Sequence, residues 1–222
     1  GLKLYETGYL FESDQRARIY LTNALEPAQD FSGTLAFALP ALARESKAVN
    51  TIKRDCFFTV VLGNPPYSSV SKNMGDWIKT LVSDFRKIDG VAILEKGKRN
   101  HLQDDYVKFL RLGLAHVEGS GAGICGFITN HSYIYSPTFR AMRNYISRTM
   151  NSGKIIELNG DIKRGDAEKH PGDQNVFDIQ QGVAIGIFCN STGEKNHELL
   201  GCTIFGDRQY KYKLLEEGLS NL

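Results

Sequence analysis

What this 222-residue chain lacks already narrows its reading. No apolar run is long enough to span a bilayer, and the N-terminus lacks a basic stretch leading into an apolar one. Neither a membrane anchor nor a signal peptide is therefore expected. The four cysteines, Cys56, Cys125, Cys189 and Cys202, have no metal-ligand spacing, and three lie in or beside strand-like runs. This argues against a zinc module or a disulfide scaffold and suits reduced thiols in a cytoplasmic protein. Neither charge dominates: 27 Lys and Arg against 25 Asp and Glu leave a net +2, which neither demands nor excludes a polyanionic partner. There are no repeats and no low-complexity segments. The hydrophobic share, 41%, is ordinary for a soluble globular protein, and the length suffices for one domain with a substantial core.

One stretch stands out. Phe57-Phe58-Thr59-Val60-Val61-Leu62-Gly63 is unbroken, apolar and rich in β-branched and aromatic residues. It reads as a strand buried on both faces, as in a parallel sheet. It stops at Asn64-Pro65-Pro66-Tyr67, because neither helix nor ladder absorbs two prolines. A polar residue, two rigid residues and a ring are thus presented beyond a strand's carboxyl end, where open α/β sheets bind ligands. The residue before each proline is held extended, so the backbones of Asn64 and Pro65 are both constrained. With no N–H on either proline, the turn offers carbonyls more readily than donors. The Asn64 side-chain carbonyl and the Pro65 main-chain carbonyl suit both hydrogens of one exocyclic NH2 group. Fixed acceptor dipoles would stabilise that nitrogen as it turns positive during attack on a methyl donor, with no strong base required. Tyr67 offers a flat face for a base, a contact worth about 1–3 kcal/mol. The same letters serve as a sorting signal in cytoplasmic tails, but that signal needs a disordered polar context and a buried strand is the opposite.

Along the chain, Gly1 to Tyr5 reads as the last turns of a helix, and Ala17 to Leu21 as a short strand ending at Thr22-Asn23. Ala41 to Ile52 is expected to be a helix leading to the motif strand. A long polar connection follows Tyr67, with an amphipathic helix around Trp77, Ile78, Leu81, Val82 and Phe85. Its basic residues Lys96, Lys98 and Arg99 read as solvated surface, with phosphate contact as the alternative. From Leu102 the pattern is helical, and Tyr106, Phe109 and Leu110 share one face, which packing against a sheet alone would explain. Gly119, Gly121 and Gly123 precede a strand rather than follow one, so they form a tight αβ loop and not a dinucleotide fingerprint. Strands are read at Ile124–Ile128, Lys154–Leu158 and Val183–Phe188, with a helix begun at Ser136-Pro137. The last two of these strands, joined without a helix, suggest an antiparallel pair. Thr203 to Phe205 adds one strand in the tail. His131, after Asn130, reads as structural.

Several of these segments carry a family resemblance. Arg18 to Leu25, Asn64-Pro65-Pro66-Tyr67, Asp105-Tyr106-Val107-Lys108-Phe109, Gly126 to Asn130, Thr138-Phe139-Arg140 with Met142-Arg143, and Asn175-Val176-Phe177-Asp178-Ile179 with Gly182 to Ile185 recur in order. Together they resemble the adenine-amino (N6) DNA methyltransferase domain of type ISP-like restriction-modification enzymes, over nearly the whole chain. The resemblance implies an α/β, Rossmann-like S-adenosylmethionine-dependent methyltransferase sheet with an antiparallel strand pair near its C-terminal end. It implies that Asn64, Pro65 and Pro66 with Tyr67 form the catalytic motif, Tyr67 stacking on an adenine flipped from double-stranded DNA. Phe177 would touch the base's other side, with Asn175 and Asn130 also on the substrate side. Asn23, Tyr106 and Phe109 would contact the cofactor.

One departure from the family matters. The family holds the methionine part of S-adenosylmethionine with a glycine-containing loop after the first strand and an acidic residue after the second, and nothing ahead of Asn64 has that form. The chain is therefore expected to be a fragment. Residues 1–55 would be a remnant of the cofactor-binding half, 56–200 the catalytic half, and 201–222 the start of a connection to a missing specificity domain. Cofactor binding is expected to be weak or absent and the fragment inactive alone. Without the neighbouring first strand, the edge of Phe58 to Leu62 would be exposed and would drive homodimerisation, aggregation or recruitment of the N-terminal segment. Two alternatives stay open: a methyltransferase of the same fold acting on RNA or a protein amide, and a non-catalytic nucleic-acid-binding module.

Overall fold

The computed structural model describes residues 6–8, 18–29, 40–67, 71–93, 101–193 and 197–218. Gly1 to Tyr5, Ala17, Lys96, Lys98 and Arg99 lie outside them. The chain divides into two compact units, residues 1–56 and 57–222.

In the first unit, helix α1 (Pro40–Asp55) confirms the expected helix. It holds the irregular segment before it: Lys53 Nζ donates to the carbonyls of Asn23 and Glu26 at 2.7 and 3.0 Å. Leu25 and Val49 are buried here. The strand expected at Ala17–Leu21 is not formed over its described residues, and Ile19 and Leu21 are exposed. β-branched content alone makes no strand where no partner pairs with it.

The second unit is a five-stranded mixed sheet. Its strands are β1 (Val60–Gly63), β4 (Gly123–Asn130), β5 (Ser152–Asn159), β6 (Val183–Asn190) and β7 (Glu198–Thr203), in the order β1-β4-β6-β5-β7. β2 (Lys87–Ile88) and β3 (Val91–Ala92) form a separate hairpin turning at Asp89-Gly90, both at positive φ. β4 runs parallel to β1 and β5 parallel to β7, while β6 lies antiparallel between β4 and β5. The carboxyl ends of β1, β4 and β5 therefore share one rim, and β6 starts on it: Val183 pairs with both Asn130 and Asn159.

Helix α2 (Asp76–Val82), a following 3-10 turn, and helix α3 (Asp105–Ser120) cover the sheet. α3 buries Tyr106, Val107, Leu110, Leu114 and Val117, each large aliphatic side chain contributing about 1.5–3 kcal/mol. It approaches β4 closely at Gly113, where a Cβ would sit 2.6 Å from the Phe127 ring and 2.7 Å from Cys125 Sγ. It ends at Gly121, whose left-handed φ of 78° no β-branched residue would accept. The short helix α4 (Ser132–Tyr135), a 3-10 turn and α5 (Arg140–Thr149) then lead to β5. Ile156, Leu158, Val176, Val183 and Ile204 form a second buried cluster.

Two expectations need correction. The motif strand spans only Val60–Gly63 and is an edge strand, not one buried on both faces: Val60 and Leu62 are 58% and 73% exposed. It has one neighbour, β4, so one side of its ladder has no partner among the described residues. Phe57 and Phe58 precede the strand and meet the His116 ring edge-on. The tail strand is the second. β7 comes earlier than expected and pairs with β5, and helix α7 (Arg208–Glu216), after the short α6 (Asp166–Lys169), is tied to the sheet by the fully buried Lys211.

Candidate active site

β1 delivers Asn64 to the shared rim because Gly63, its last residue, lies flat under Phe127, and a Cβ there would stand 2.4 Å from the ring. Asn64 and Pro66 are exposed, Pro65 is buried, and Tyr67 is half-buried. Burial pushes the Tyr67 phenol up to about 12, so the ring stays neutral at physiological pH. Its hydroxyl is buried with no hydrogen-bond partner among the described residues. The ring centre lies 6.1 Å from that of Phe177, at 56°. Two aromatic faces from segments 110 residues apart in sequence thus meet.

Phe177 reaches this point on the segment between β5 and β6. Asn159 and Gly160 turn the chain at φ of 52° and 75°, and a Cβ on Gly160 would overlap the Asn175 backbone at 2.3 Å. Asn175 spends its whole side chain on the main chain: Nδ2 donates to the carbonyls of Gly160 and Gln181, and Oδ1 accepts from the Phe177 N–H at 2.9 Å. It shapes the loop, with both of its amide hydrogens taken by main-chain carbonyls. A pocket of about 500 Å³ opens on this segment, lined by Asp161, Asn175, Phe177, Ile179 and Arg208 among others.

The other expected residues have these surroundings. Asn130 Oδ1 accepts from the Ser132 N–H at 2.7 Å, ending β4 and starting α4. Asn23, in the first unit, uses its amide in its own turn, accepting from the Leu25 N–H and donating to Glu26. Tyr106 is 2% exposed and its hydroxyl, too, is buried without a partner among the described residues; Phe109 on the same helix is half-buried.

Sequence reasoning missed a polar network behind each aromatic. Lys108, fully buried, donates to Ser71 Oγ and the Asn73 carbonyl, both at 2.6 Å. Asp105 accepts from Ser71 Oγ and Asn73 Nδ2. These bonds fasten the chain just beyond Tyr67 to α3. The Asp105–Lys108 spacing of three was the available signal. His131 is buried between two carboxylates, Nδ1 to Glu157 and Nε2 to Asp161, both at 2.9 Å. Burial works against the charge on both acids. Hydrogen bonds from His131, aided by Tyr135 at Glu157 and by main-chain N–H groups at Asp161, outweigh it and hold both below their ordinary range. This cluster braces the β4 and β5 ends, a structural role. No cluster of three metal-binding side chains occurs among the described residues, and no helix among them is long and apolar enough to cross a membrane.

Fold and site together define a class: a mixed α/β sheet with one reversed strand, carrying a polar and aromatic motif where its edge strand ends. Within that class, the chain belongs to the Eco57I restriction-modification methylase family, whose model matches residues 17–163. The match includes Asn64 to Tyr67 and ends before Phe177. No curated protein sequence is detectably similar. Among solved structures, the ATP-dependent Type ISP restriction-modification enzyme LlaBIII bound to DNA superposes with a TM-score of 0.71 at 23% identity, covering 89% of this chain and 13% of that one. A nuclease-deletion mutant of the Type ISP enzyme LlaGI, in complex with a DNA substrate mimic, gives 0.66 at 22% over 79% of this chain and 15% of its own. A DrdV–DNA complex gives 0.63 at 23% over 82% and 18%. This chain therefore spans less than a fifth of each, and the likeness is one of fold.

Proposed function

We propose that this chain is the catalytic part of a DNA adenine-N6 methyltransferase acting in restriction-modification in the cytoplasm, and that its substrate is an adenine flipped out of double-stranded DNA. The observation that carries the reading is the Tyr67–Phe177 ring pair, with Tyr67 three residues beyond the exposed Asn64 in the chain. Pulling a base from the stack costs a few kcal/mol, partly offset by stacking on these rings. Two contacts of about 3.5 Å each are needed for a base held between them, more than a 6.1 Å separation of tilted rings leaves. Tyr67 and Phe177 must therefore part and turn face-on when a base enters.

Asn64 Oδ1 and the Pro65 carbonyl accept the two hydrogens of the adenine amino group, pulling its lone pair out of conjugation and aiming it away from the motif. As the nitrogen turns positive the same two dipoles stabilise it, and one of its protons then leaves to solvent. The orphaned Tyr106 hydroxyl, with Phe109 on the same helix, suits a bound nucleoside; these residues would hold S-adenosylmethionine, which would supply the methyl group as its S–CH3 bond breaks, leaving S-adenosylhomocysteine. Its binding to this chain alone is proposed to be weak.

The test is tritiated methyl transfer by the full-length protein to genomic DNA that lacks adenine methylation, followed by digestion and identification of the labelled base. N6-methyladenine is the expected product. Asn64→Ala should lower kcat by about 10²–10³, the cost of removing one preorganised hydrogen-bonding group. Tyr67→Ala should lose about 1–3 kcal/mol, the worth of one stacked base. Label in RNA or in protein glutamine instead would redirect the substrate assignment, and DNA binding without transfer would mark a non-catalytic module.

A further inference from the structure

One side of helix α7 is turned to the segment that carries Phe177. Arg208, Lys211 and Tyr212, spaced i, i+3 and i+4, lie on one side of it. Lys211 Nζ donates to the Gln174 carbonyl at 2.5 Å, Arg208 Nε to the Asn175 carbonyl at 2.9 Å, and the Tyr212 hydroxyl to the Val176 carbonyl at 2.6 Å. Three successive main-chain acceptors, ending one residue before Phe177, are thus taken by three side chains of one helix. Arg208 also reaches Asp178 beyond it at 2.7 Å.

The helix is itself fixed in register with that segment. Asp207 caps it, accepting from the Tyr210 N–H at 2.8 Å. Just upstream, the Gly206 carbonyl accepts from the Gln174 N–H, and the Gly206 N–H donates to Asp173. Lys211, fully buried, bonds Asp173 and the Leu158 carbonyl, both at 2.6 Å, so the base of the clamp is anchored to the end of β5. On the other flank, Asn175 Oδ1 holds the Phe177 N–H.

We propose that α7 is a backbone clamp that sets how far Phe177 stands from Tyr67, with Arg208, Lys211 and Tyr212 as positioning residues for the adenine site. This rests on the reading of Tyr67 and Phe177 as the two faces of that site. A captured carbonyl stops its peptide plane from rotating. With planes 174–176 and the 177 N–H all held, the Phe177 backbone stays in place and only the ring has to turn when a base arrives. Loosening the clamp should therefore cost turnover more than DNA affinity.

Tyr212→Phe tests this in the full-length protein, since it deletes one partly exposed hydroxyl and leaves the ring. Hydrogen exchange at amides 174–178 should quicken while β4 and β6 are unchanged, a readout that needs no activity. In methyl transfer to genomic DNA, kcat should fall by about two- to tenfold, the range spanned by one hydrogen bond, with KM for DNA and melting temperature unaltered. Arg208→Gln should act the same way. Adding Tyr212→Phe to Phe177→Leu should cause no further loss, because the clamp then holds nothing that matters. Unaltered exchange at 174–178 would overturn the inference, as would an undiminished loss in the Phe177→Leu background. If Asn64→Ala and Phe177→Leu leave methyl transfer intact, the adenine-site reading fails instead, and exchange still decides whether α7 holds the segment.

Discussion

At the scale of the residue, the site depends on small groups as much as on its ring and amide. Gly63 has no room for a methyl group beneath Phe127. Gly63→Ala should cost about 1–3 kcal/mol by overpacking, seen as a lower urea midpoint, and should slow methyl transfer because Asn64 is the next residue. Charge behaves differently at Glu157 and Asp161. Both carboxyls are held below their ordinary values of 4.5 and 3.8 by His131 and their other donors. A depressed folded value means the stabilisation is complete above the ordinary value and disappears as acid protonates the folded form. The melting temperature should thus hold steady down to about pH 4.5 and drop below it, and His131→Gln should flatten that acid limb.

Among the elements, what could be read ahead of the structure was what a period or an unbroken apolar run encodes. β4, β6 and the buried face of α3 were legible because their own residues specify the pattern. The open edge of β1 was expected from the family resemblance, but its exposed faces were not, because burial belongs to the neighbours a strand acquires by long-range pairing and not to its composition. α7 escaped notice for a related reason. Its face of Arg208, Lys211 and Tyr212 looks solvated in sequence, and only the Gln174 to Val176 carbonyls give it a target. Lys108 hid likewise on α3. It ties α3 to the chain after Tyr67 by bonds to a charged donor, each worth about 1.5–3 kcal/mol. Lys108→Met should lower stability by a comparable amount, measured by urea unfolding, and should quicken hydrogen exchange at residues 71–74. Of the proposed site, Asn64 to Tyr67 and Phe177 were legible as candidates, and the structure brings the Tyr67 and Phe177 rings together. Asn175 was visible as a residue but not as a loop brace, since its three main-chain bonds depend on where Gly160 and Gln181 end up.

For the molecule as a whole, β1 is the weak margin of the sheet. An edge with Val60 and Leu62 exposed and no partner among the described residues is a template for another strand. Sedimentation should show association that rises with concentration, and Leu62→Lys should reduce it without changing the melting temperature by more than a degree or so. A monodisperse monomer at high concentration would count against edge pairing.

The single antiparallel strand β6 has a consequence for how such a domain could diversify. Because Val183 sits opposite Asn159, the excursion from Gly160 to Gly182 leaves and rejoins the sheet at neighbouring points. Only its outer turn, from Gly165 to Lys169, can lengthen or shorten without disturbing a strand, because Val176 is in the core and Asp173 to Val176 are held by α7. Length variation can thus enter the rim beside the site while Phe177 and Asn64 both keep their backbone anchorage.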